Sequence, residues 1–284
     1  MSPLKYVLIT AIRNEATTIG VTLDCMAAQT LLPAEWIIVS DGSTDATDSL
    51  VTAAAQGRDW IKLVQLPQRS GRSFAAMVAA INAGRSRLQC QDCELIGLLD
   101  GDLQFQPDYF ERVVAAFQQN SRLGLAGGMV VDVGHRRDQV PRNRVDVPGA
   151  VQLFRRDCYE ALNGYFVIPE GGFDAVACAH ARMLGYETKL LTDLIVDHLK
   201  PRNISAGGVL RRHWQLGVRD YAMGSHPLFE LLKCSGRVSE FPVILGAVAR
   251  WLGYISRAVR RSARVMPPAL VFHIHREQLA RLKW

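Results

Sequence analysis

Short apolar runs alternate with helix-patterned stretches through the first half of this 284-residue chain, and few folds accommodate that order. The runs Tyr6 to Ala11, Trp36 to Ser40, Ile61 to Leu66 and Leu95 to Leu99 have strand length. Helical patterns fill residues 15–29, 45–56 and 72–84 between them. Strands that alternate with helices build βαβ units and a mostly parallel central sheet flanked by helices, the α/β class. A further strand is expected over Leu125 to Val131, a returning one over Ala150 to Phe154, and another over Lys189 to Leu191. The Arg-rich stretch Gly134 to Pro148 reads as a loop, and Phe173 to Leu184 as a helix closed by Gly185. Beyond about residue 205 the chain turns apolar and basic with few acids, and a helical extension is expected there.

Bulk composition narrows the field less. With 49% hydrophobic and 21% charged residues the chain can bury a sizeable core, which excludes wholesale disorder. A net charge of +6 favours phosphate-bearing partners of any kind. No apolar run reaches the ~18 residues of a spanning helix, and the N-terminus lacks a signal-peptide pattern. A cytosolic protein is the expectation. Of the cysteines at 25, 90, 93, 158, 178 and 234, only Cys90 and Cys93 form a CxxC pair. A structural zinc site needs two more ligands at similar spacing, so incidental, reduced cysteines are expected.

Ligands of open α/β sheets bind beyond the carboxyl ends of the strands. Polar groups follow each of the first four runs: Arg13-Asn14-Glu15, then Asp41-Gly42-Ser43-Thr44-Asp45, then Gln68-Arg69-Ser70-Gly71-Arg72, then Asp100-Gly101-Asp102. One such turn is ordinary loop chemistry; four in register point to a shared rim. Asp100 and Asp102 are two residues apart at the end of a very apolar run. Carboxylates that close repel each other unless a cation lies between them. Hard divalent cations take oxygen ligands and share their coordination with substrate phosphates. A helix cap plus a turn aspartate would explain the pair without a metal.

These motifs, and above all Asp100-Gly101-Asp102-Leu103-Gln104-Phe105-Gln106-Pro107, resemble family-2 glycosyltransferases of the GT-A fold, of the bacterial polysaccharide and glycolipid type. The resemblance is strong over residues 5–110 and looser to about 202. It implies that Thr10, Ala11, Arg13 and Glu15 line the nucleoside pocket and that Asp41 contacts the base or ribose. It places Arg72 near the diphosphate, Asp100 at the donor ribose or the metal, Gly101 at the donor, and Asp102 as the principal ligand of Mg2+ or Mn2+. Arg72 stands where such enzymes often carry lysine. Asp174, after Gly171-Gly172-Phe173, would deprotonate the acceptor hydroxyl, although many relatives have an acidic pair where this chain has Phe173 and Asp174. His198 would complete the metal site, with Asp197 as its competitor. Arg155 and Arg156 fall where such enzymes shape the acceptor pocket, and a pair of solvated arginines at a helix start explains them equally well.

On a helical wheel over Phe241 to Arg264, residues Arg250, Arg257, Arg260, Arg261 and Arg264 share one arc. Ile244, Leu245, Val248, Trp251, Leu252, Ile255 and Val259 gather opposite. Such a helix suits an anionic membrane surface, or docks on the catalytic part with its arginines in water. The expected organisation is a catalytic domain over 1–204, with nucleotide-sugar binding in 1–110 and the acceptor part in 111–204, followed by a basic amphipathic region over 205–284. The expected activity is inverting, metal-dependent transfer from a nucleotide-diphosphate sugar to a hydroxyl of a saccharide or lipid-linked saccharide. By resemblance it serves polysaccharide or glycolipid assembly, peripheral on the cytoplasmic face of the inner membrane. No nucleic-acid module is recognisable. A polyprenyl-phosphate sugar synthase and a catalytically silent sugar-nucleotide binding scaffold are the alternatives.

Overall fold

The computed structural model describes residues 3–68, 71, 73–133, 143–200 and 208–283. Its first part runs β1 (Tyr6–Ile12), α1 (Ile19–Ala27), β2 (Glu35–Asp41), α2 (Thr47–Ala55), β3 (Ile61–Leu66), α3 (Phe74–Arg85) and β4 (Leu95–Leu98). The middle adds β5 (Leu103–Phe105), α4 (Tyr109–Gln119), β6 (Leu123–Asp132), β7 (Leu153–Arg155), α5 (Arg156–Leu162), α6 (Phe173–Met183) and β8 (Glu187–His198). The C-terminal helices are α7 (Gly208–Ala222), α8 (Pro227–Ser235), α9 (Leu245–Val259) and α10 (Pro268–Ala280). The runs read as strands all form strands, with ends shifted by a residue or two. Two expectations change. A 3-10 turn at Gly149–Val151 delays the returning strand to Leu153, and β8 extends far enough to carry His198 on the strand itself.

The eight strands lie in the order β3-β2-β1-β4-β7-β6-β8-β5. Pairing is parallel for β1 with β2 and β4, for β2 with β3 and for β6 with β8; it is antiparallel where β7 and β5 join. The strands β1, β2, β3, β4, β6 and β8 therefore all end on one rim. Successive residues of a strand face opposite sides of a sheet, and both sides are covered. Tyr6 and Leu8 pack with Ile19, Leu23 and Met26 of α1 and with Phe110, Val113 and Phe117 of α4. Val7 and Ile9 pack with Ile81 of α3, Cys158 and Tyr159 of α5, and Cys178 of α6. That two-sided cover is why β1, β2 and β4 read as unbroken apolar runs rather than alternating ones. Among the described residues no helix is long and apolar enough to cross a membrane.

The C-terminal helices dock through α10. Met266, Leu270 and Ile274 pack on Ile168, Val176 and Ala179, and Arg182 of α6 binds Glu277 through two nitrogens, at 2.7 and 2.9 Å. Helix α9 corrects the expected wheel. Its buried seam is Gly246, Ala247, Arg250, Gly253 and Tyr254, and this seam lies on α7. A Cβ at Gly217 would fall 1.8 Å from the Arg250 carbonyl oxygen, and one at Gly253 2.2 Å from that of Trp214. Backbones this close exclude large side chains from the seam, so Leu245, Val248 and Leu252 face outward, between 46% and 59% exposed. Of the supposed arginine stripe, Arg250 is buried against Asp220 and Glu230. Arg264 stacks over Tyr221, 4.1 Å from its ring centroid. Arg260 and Arg261 follow the helix end and are exposed.

Candidate active site

The loop after β1 and the loop after β2 are built as one unit. Asn14 adopts φ 56°, and its side-chain oxygen accepts the Thr44 backbone N–H at 2.8 Å. The Glu15 N–H donates to Thr47 Oγ1 at 2.8 Å and the Ala16 N–H to Asp45 Oδ2 at 3.1 Å. Thus Thr44, Asp45 and Thr47 brace the first loop. Gly42 sits at φ +66°, and a Cβ there would lie 2.5 Å from the Gln68 Cα, so only glycine lets the turn after β3 come this near. Arg13 donates to the Gly71 carbonyl at 2.5 Å. Arg72 lies outside the described residues.

Two cavities open along the rim. One, of about 510 Å³, is lined by Ala11, Arg13, Glu15, Asp41, Phe74 and Met77 among others. The other, of about 520 Å³, is lined by Asp100, Asp174, His198, Gly149, Gly172 and Arg219 among others. Ala11, Phe74 and Met77 line both. Of the residues expected at the donor, Ala11, Arg13, Glu15 and Asp41 are on the first cavity and Asp100 is on the second. Thr10 is not on either. It is fully buried, and its hydroxyl accepts the Trp36 indole N–H at 2.8 Å, which makes it a core residue. Gly101 is likewise a packing residue, since a Cβ would lie 2.6 Å from Ile12 and 3.2 Å from Ile19. Glu15 is held in an ion pair with Lys200, which lies just past β8.

Asp102 and His198 do come together, with Oδ2 and Nε2 3.3 Å apart. Strand β8 lies between β5 and β6, so His198 pairs with Leu103 on one side and Asp132 on the other. Its Nδ1 is 3.0 Å from Asp132 Oδ1. That contact fixes the ring and leaves Nε2 turned to Asp102, the arrangement in which a carboxylate orients a metal-binding imidazole. Asp197 faces the opposite side of the sheet by strand alternation. Sequence reasoning missed Asp132 and Lys200. Both stand at strand ends, Asp132 closing β6 and Lys200 just past β8, so the polar-rim rule that singled out the first four turns finds them once it is extended to these two strands.

The donor set suits a divalent metal. Burial first, and then the neighbouring Asp102 carboxylate, push the Asp100 pKa up to about 7. The hydrogen bond to Asp102 holds the His198 imidazole above its ordinary range against the effect of burial. The site thus gathers more negative charge than it compensates, a deficit that a cation relieves. Among the described residues only Cys90, Asp92 and Cys93 bring three possible ligand atoms within 4.8 Å of one another. Asp102 and His198 would supply part of a coordination shell, with phosphate oxygens and water completing it. Cys90 and Cys93 are joined as a disulfide, with Cα atoms 5.8 Å apart. This corrects the expectation of reduced thiols; the CxxC turn brings the pair within bridging range.

Asp174 lies in the first turn of α6, whose N-cap is Gly172 without a side-chain cap bond. It is therefore not a helix cap. Its Oδ2 accepts the Gly149 N–H at 3.1 Å, and it lines the cavity of Asp100. Gly171 and Gly172, at φ +85° and +86°, make the turn that sets it there.

Arg155 and Arg156 are corrected. Arg155 ends β7 and Arg156 opens α5, and Arg155 pairs with Leu95 at the start of the neighbouring β4, far along that strand from Asp100. Arg155 donates to the carbonyls of Phe117, Asn120 and Leu123, and Arg156 to that of Cys90 at 3.0 Å and that of Cys93. Both satisfy backbone carbonyl groups, a task that the residue type does not advertise in sequence.

A family model described as glycosyl transferase family 2 matches residues 7–186. Over 130 residues the chain is 35% identical to the dodecaprenyl-phosphate galacturonate synthase of Rhizobium johnstonii, covering 44% of this chain and 36% of that protein. Over 124 residues it is 30% identical to an uncharacterised glycosyltransferase of Nostoc sp., covering 43% and 35%. The matched stretch spans about a third of the length of these relatives. Among solved structures, the mannosyltransferase PcManGT from Pyrobaculum calidifontis, in complex with GDP-Man and Mn2+, is similar at a TM-score of 0.62 and 19% identity, covering 100% of this chain and 82% of that one. S. aureus TarS 1-349, in complex with UDP-GlcNAc, is similar at 0.58 and 14%, covering 90% and 73%. At these identities the likeness to solved structures concerns the fold.

Proposed function

The chain belongs to glycosyl transferase family 2, and from that premise we propose an inverting, metal-dependent transfer of a sugar from a nucleotide-diphosphate sugar to an acceptor. One observation carries the reading: a cavity with Arg13, Glu15 and Asp41 adjoins a cavity with Asp100, Asp174 and His198, across the shared wall of Ala11, Phe74 and Met77. The first suits a nucleoside and the second the sugar, diphosphate and acceptor. Asp102 and His198 would hold a Mg2+ or Mn2+, with Asp100 beside them and Asp132 orienting the histidine. Such an ion neutralises charge that builds on a departing diphosphate. Asp174 would take the proton of an acceptor hydroxyl, and attack opposite the leaving group inverts the anomeric centre. The solved neighbours, in complex with GDP-Man and with UDP-GlcNAc, support a sugar nucleotide as donor. A thermal-shift screen of UDP-, GDP- and dTDP-sugars with and without manganese tests this reading; no stabilisation by any of them would refute it.

A second reading has one observation behind it, the 35% identity to a dodecaprenyl-phosphate galacturonate synthase. An ionised phosphate acceptor needs no base. Asp174→Asn separates the two. For a hydroxyl acceptor it should lower turnover by roughly 10²–10⁴-fold, the usual worth of a general base, and leave donor affinity unchanged by calorimetry. Turnover that survives the substitution would favour the phosphate acceptor, and lost donor affinity would remove Asp174 from the acceptor side.

The proposed place of action is the cytoplasmic face of a membrane, with polysaccharide or glycolipid assembly as the wider role. Residues 205–284 hold 13 Lys and Arg against 4 Asp and Glu, a balance of +9, so residues 1–204 carry −3 of the total +6. Asp220 and Glu230, two of those four acids, are buried. On the same region Trp214, Phe241, Ile244, Leu245, Val248 and Leu252 are exposed. A cationic surface with outward apolar side chains suits shallow insertion into an anionic bilayer. Changing Leu245, Val248 and Leu252 together to Ser should weaken co-sedimentation with anionic vesicles at least about tenfold, since each buried side chain is worth roughly 1.5–3 kcal/mol. Changing Arg260 and Arg261 to Gln should remove mainly the salt-sensitive part. Sedimentation of the serine variant equal to that of the unaltered chain would rule this face out.

A further inference from the structure

One fully buried polar side chain, Gln152, meets the backbone of Asp174. It lies between the 3-10 turn Gly149–Val151 and β7. Its Nε2 donates to the Val147 carbonyl at 2.9 Å and to the Asp174 carbonyl at 3.2 Å, and its Oε1 accepts the Tyr165 hydroxyl. Carbonyl oxygens only accept, so the amide nitrogen has to face them and the amide oxygen has to face the hydroxyl. The opposite orientation would leave buried groups unmade. Both amide protons and the oxygen are thus committed, and the side chain is fixed.

The groups that Gln152 ties together bear directly on the Asp174 carboxylate. The Val147 N–H donates to Cys178 Sγ of α6 at 3.3 Å, which lays this segment along the first turns of that helix. Two residues on, the Gly149 N–H holds Asp174 Oδ2 at 3.1 Å. A Cβ at Gly149 would lie 3.1 Å from the Asp174 Cβ, so glycine lets the backbone come this near. The other end of the segment is bound to β4. The Ala150 carbonyl accepts the Asp100 N–H at 3.0 Å, and the Gln152 carbonyl accepts the Leu98 N–H at 2.7 Å. Residues 147–152 therefore bridge the end of β4, beside Asp100, to the start of α6, at Asp174, and the Gln152 amide closes the bridge on the α6 side. A general base works only where its oxygen reaches the proton, and a displacement of about 1 Å costs on the order of 10²-fold. Gln152 is buried behind the cavity wall, so its influence on transfer passes through the groups it holds. We propose that Gln152 is the positioning residue for Asp174, its amide setting the carboxylate relative to Asp100. The proposal rests on the reading of Asp174 as the base.

Donor hydrolysis by the full chain, with water as the acceptor and UDP-, GDP- and dTDP-sugars as donors in the presence of manganese, tests it. Gln152→Met keeps the side-chain volume and removes the hydrogen bonds. It should lower kcat by roughly 10- to 100-fold, the cost of a displaced reacting group, and leave donor affinity unchanged by calorimetry. Tyr165→Phe, a milder change to the same amide, should lower kcat by roughly 2- to 10-fold, the worth of one hydrogen bond. In the Asp174→Asn background Gln152→Met should cost nothing further, because residues that act through one another are not additive. Exchange of the Gly149 amide proton, followed by NMR with isotope-labelled glycine, should quicken at least about tenfold in Gln152→Met, while Gly253 on α9 keeps its rate. Undiminished kcat overturns the proposal. So does an equal loss in the Asp174→Asn background, which would give Gln152 a role in general folding only, and lost donor affinity would assign it to the donor side. If no donor is hydrolysed measurably, the Gly149 exchange decides, and an unchanged rate there overturns the proposal. If Asp174→Asn hydrolyses donor at the full rate, the base reading itself fails, and the Gly149 exchange still shows whether Gln152 holds the carboxylate.

Discussion

Asp102→Asn should lower sugar transfer by at least about 10²–10³-fold, the cost of removing one group that stabilises developing negative charge, while the fold survives. The carboxylate lies on the rim, 3.3 Å from His198 Nε2, and is not part of the core. Its backbone carbonyl, which accepts the Leu199 N–H at 2.8 Å, is untouched by the change, so the loop keeps its anchor. His198 keeps Asp132 as well. The substitution removes the anionic ligand charge, which an amide oxygen does not replace. Release of nucleoside diphosphate, followed with manganese, with magnesium and after chelation, checks this. Chelation should silence the unaltered enzyme and returned metal should restore it, whereas the variant should stay low throughout. Undiminished transfer by Asp102→Asn in metal-free buffer would end the metal-dependent reading.

Arg250→Met should destabilise the protein by about 3–5 kcal/mol, the cost of leaving buried charges without their partner. Asp220 and Glu230 are fully buried, and Arg250 Nε reaches both, at 2.8 and 3.1 Å. Lys233, 3.0 Å from Asp220 Oδ1, remains after the substitution but cannot neutralise two carboxylates. For a chain of this size the loss corresponds to a melting temperature lower by on the order of 10 °C. Replacing Asp220 and Glu230 as well by apolar residues of similar volume should recover much of it, because an apolar core is no worse than a buried ion cluster. Scanning calorimetry decides. A single variant that melts with the unaltered protein would mean that the cluster is hydrated rather than buried.

The strands and the rim were legible in sequence because both are local. A run such as Tyr6 to Ile12 declares its burial residue by residue, and the polar turn after a strand stays at its end wherever the strand is placed. The parallel order of β1, β2, β3 and β4 brings the ends of these strands to one edge, and Asp100, Asp174 and His198 line one cavity there, with Asp102 3.3 Å from His198. Thr10 and Gly101 belong to the same motifs, and their neighbours in sequence gave no sign that Trp36, Ile12 and Ile19 would claim them.

Other features depend on partners distant in the chain. Asp132 meets His198 only because β6 pairs with β8, 66 residues further on. Lys200 meets Glu15 across 185 residues. Arg155 and Arg156 are spent on carbonyls 32 to 66 residues away. Helix α9 shows the limit most sharply. Its hydropathy established two faces by itself, but not which one turns inward. Gly217 and Gly253 admit backbone contact between α7 and α9, and Asp220 with Glu230 supplies buried counter-charge for Arg250. Close packing of small residues and a compensated charge outweighed the burial of Leu245, Val248 and Leu252. Such a balance is set between elements, so periodicity within one helix does not contain it.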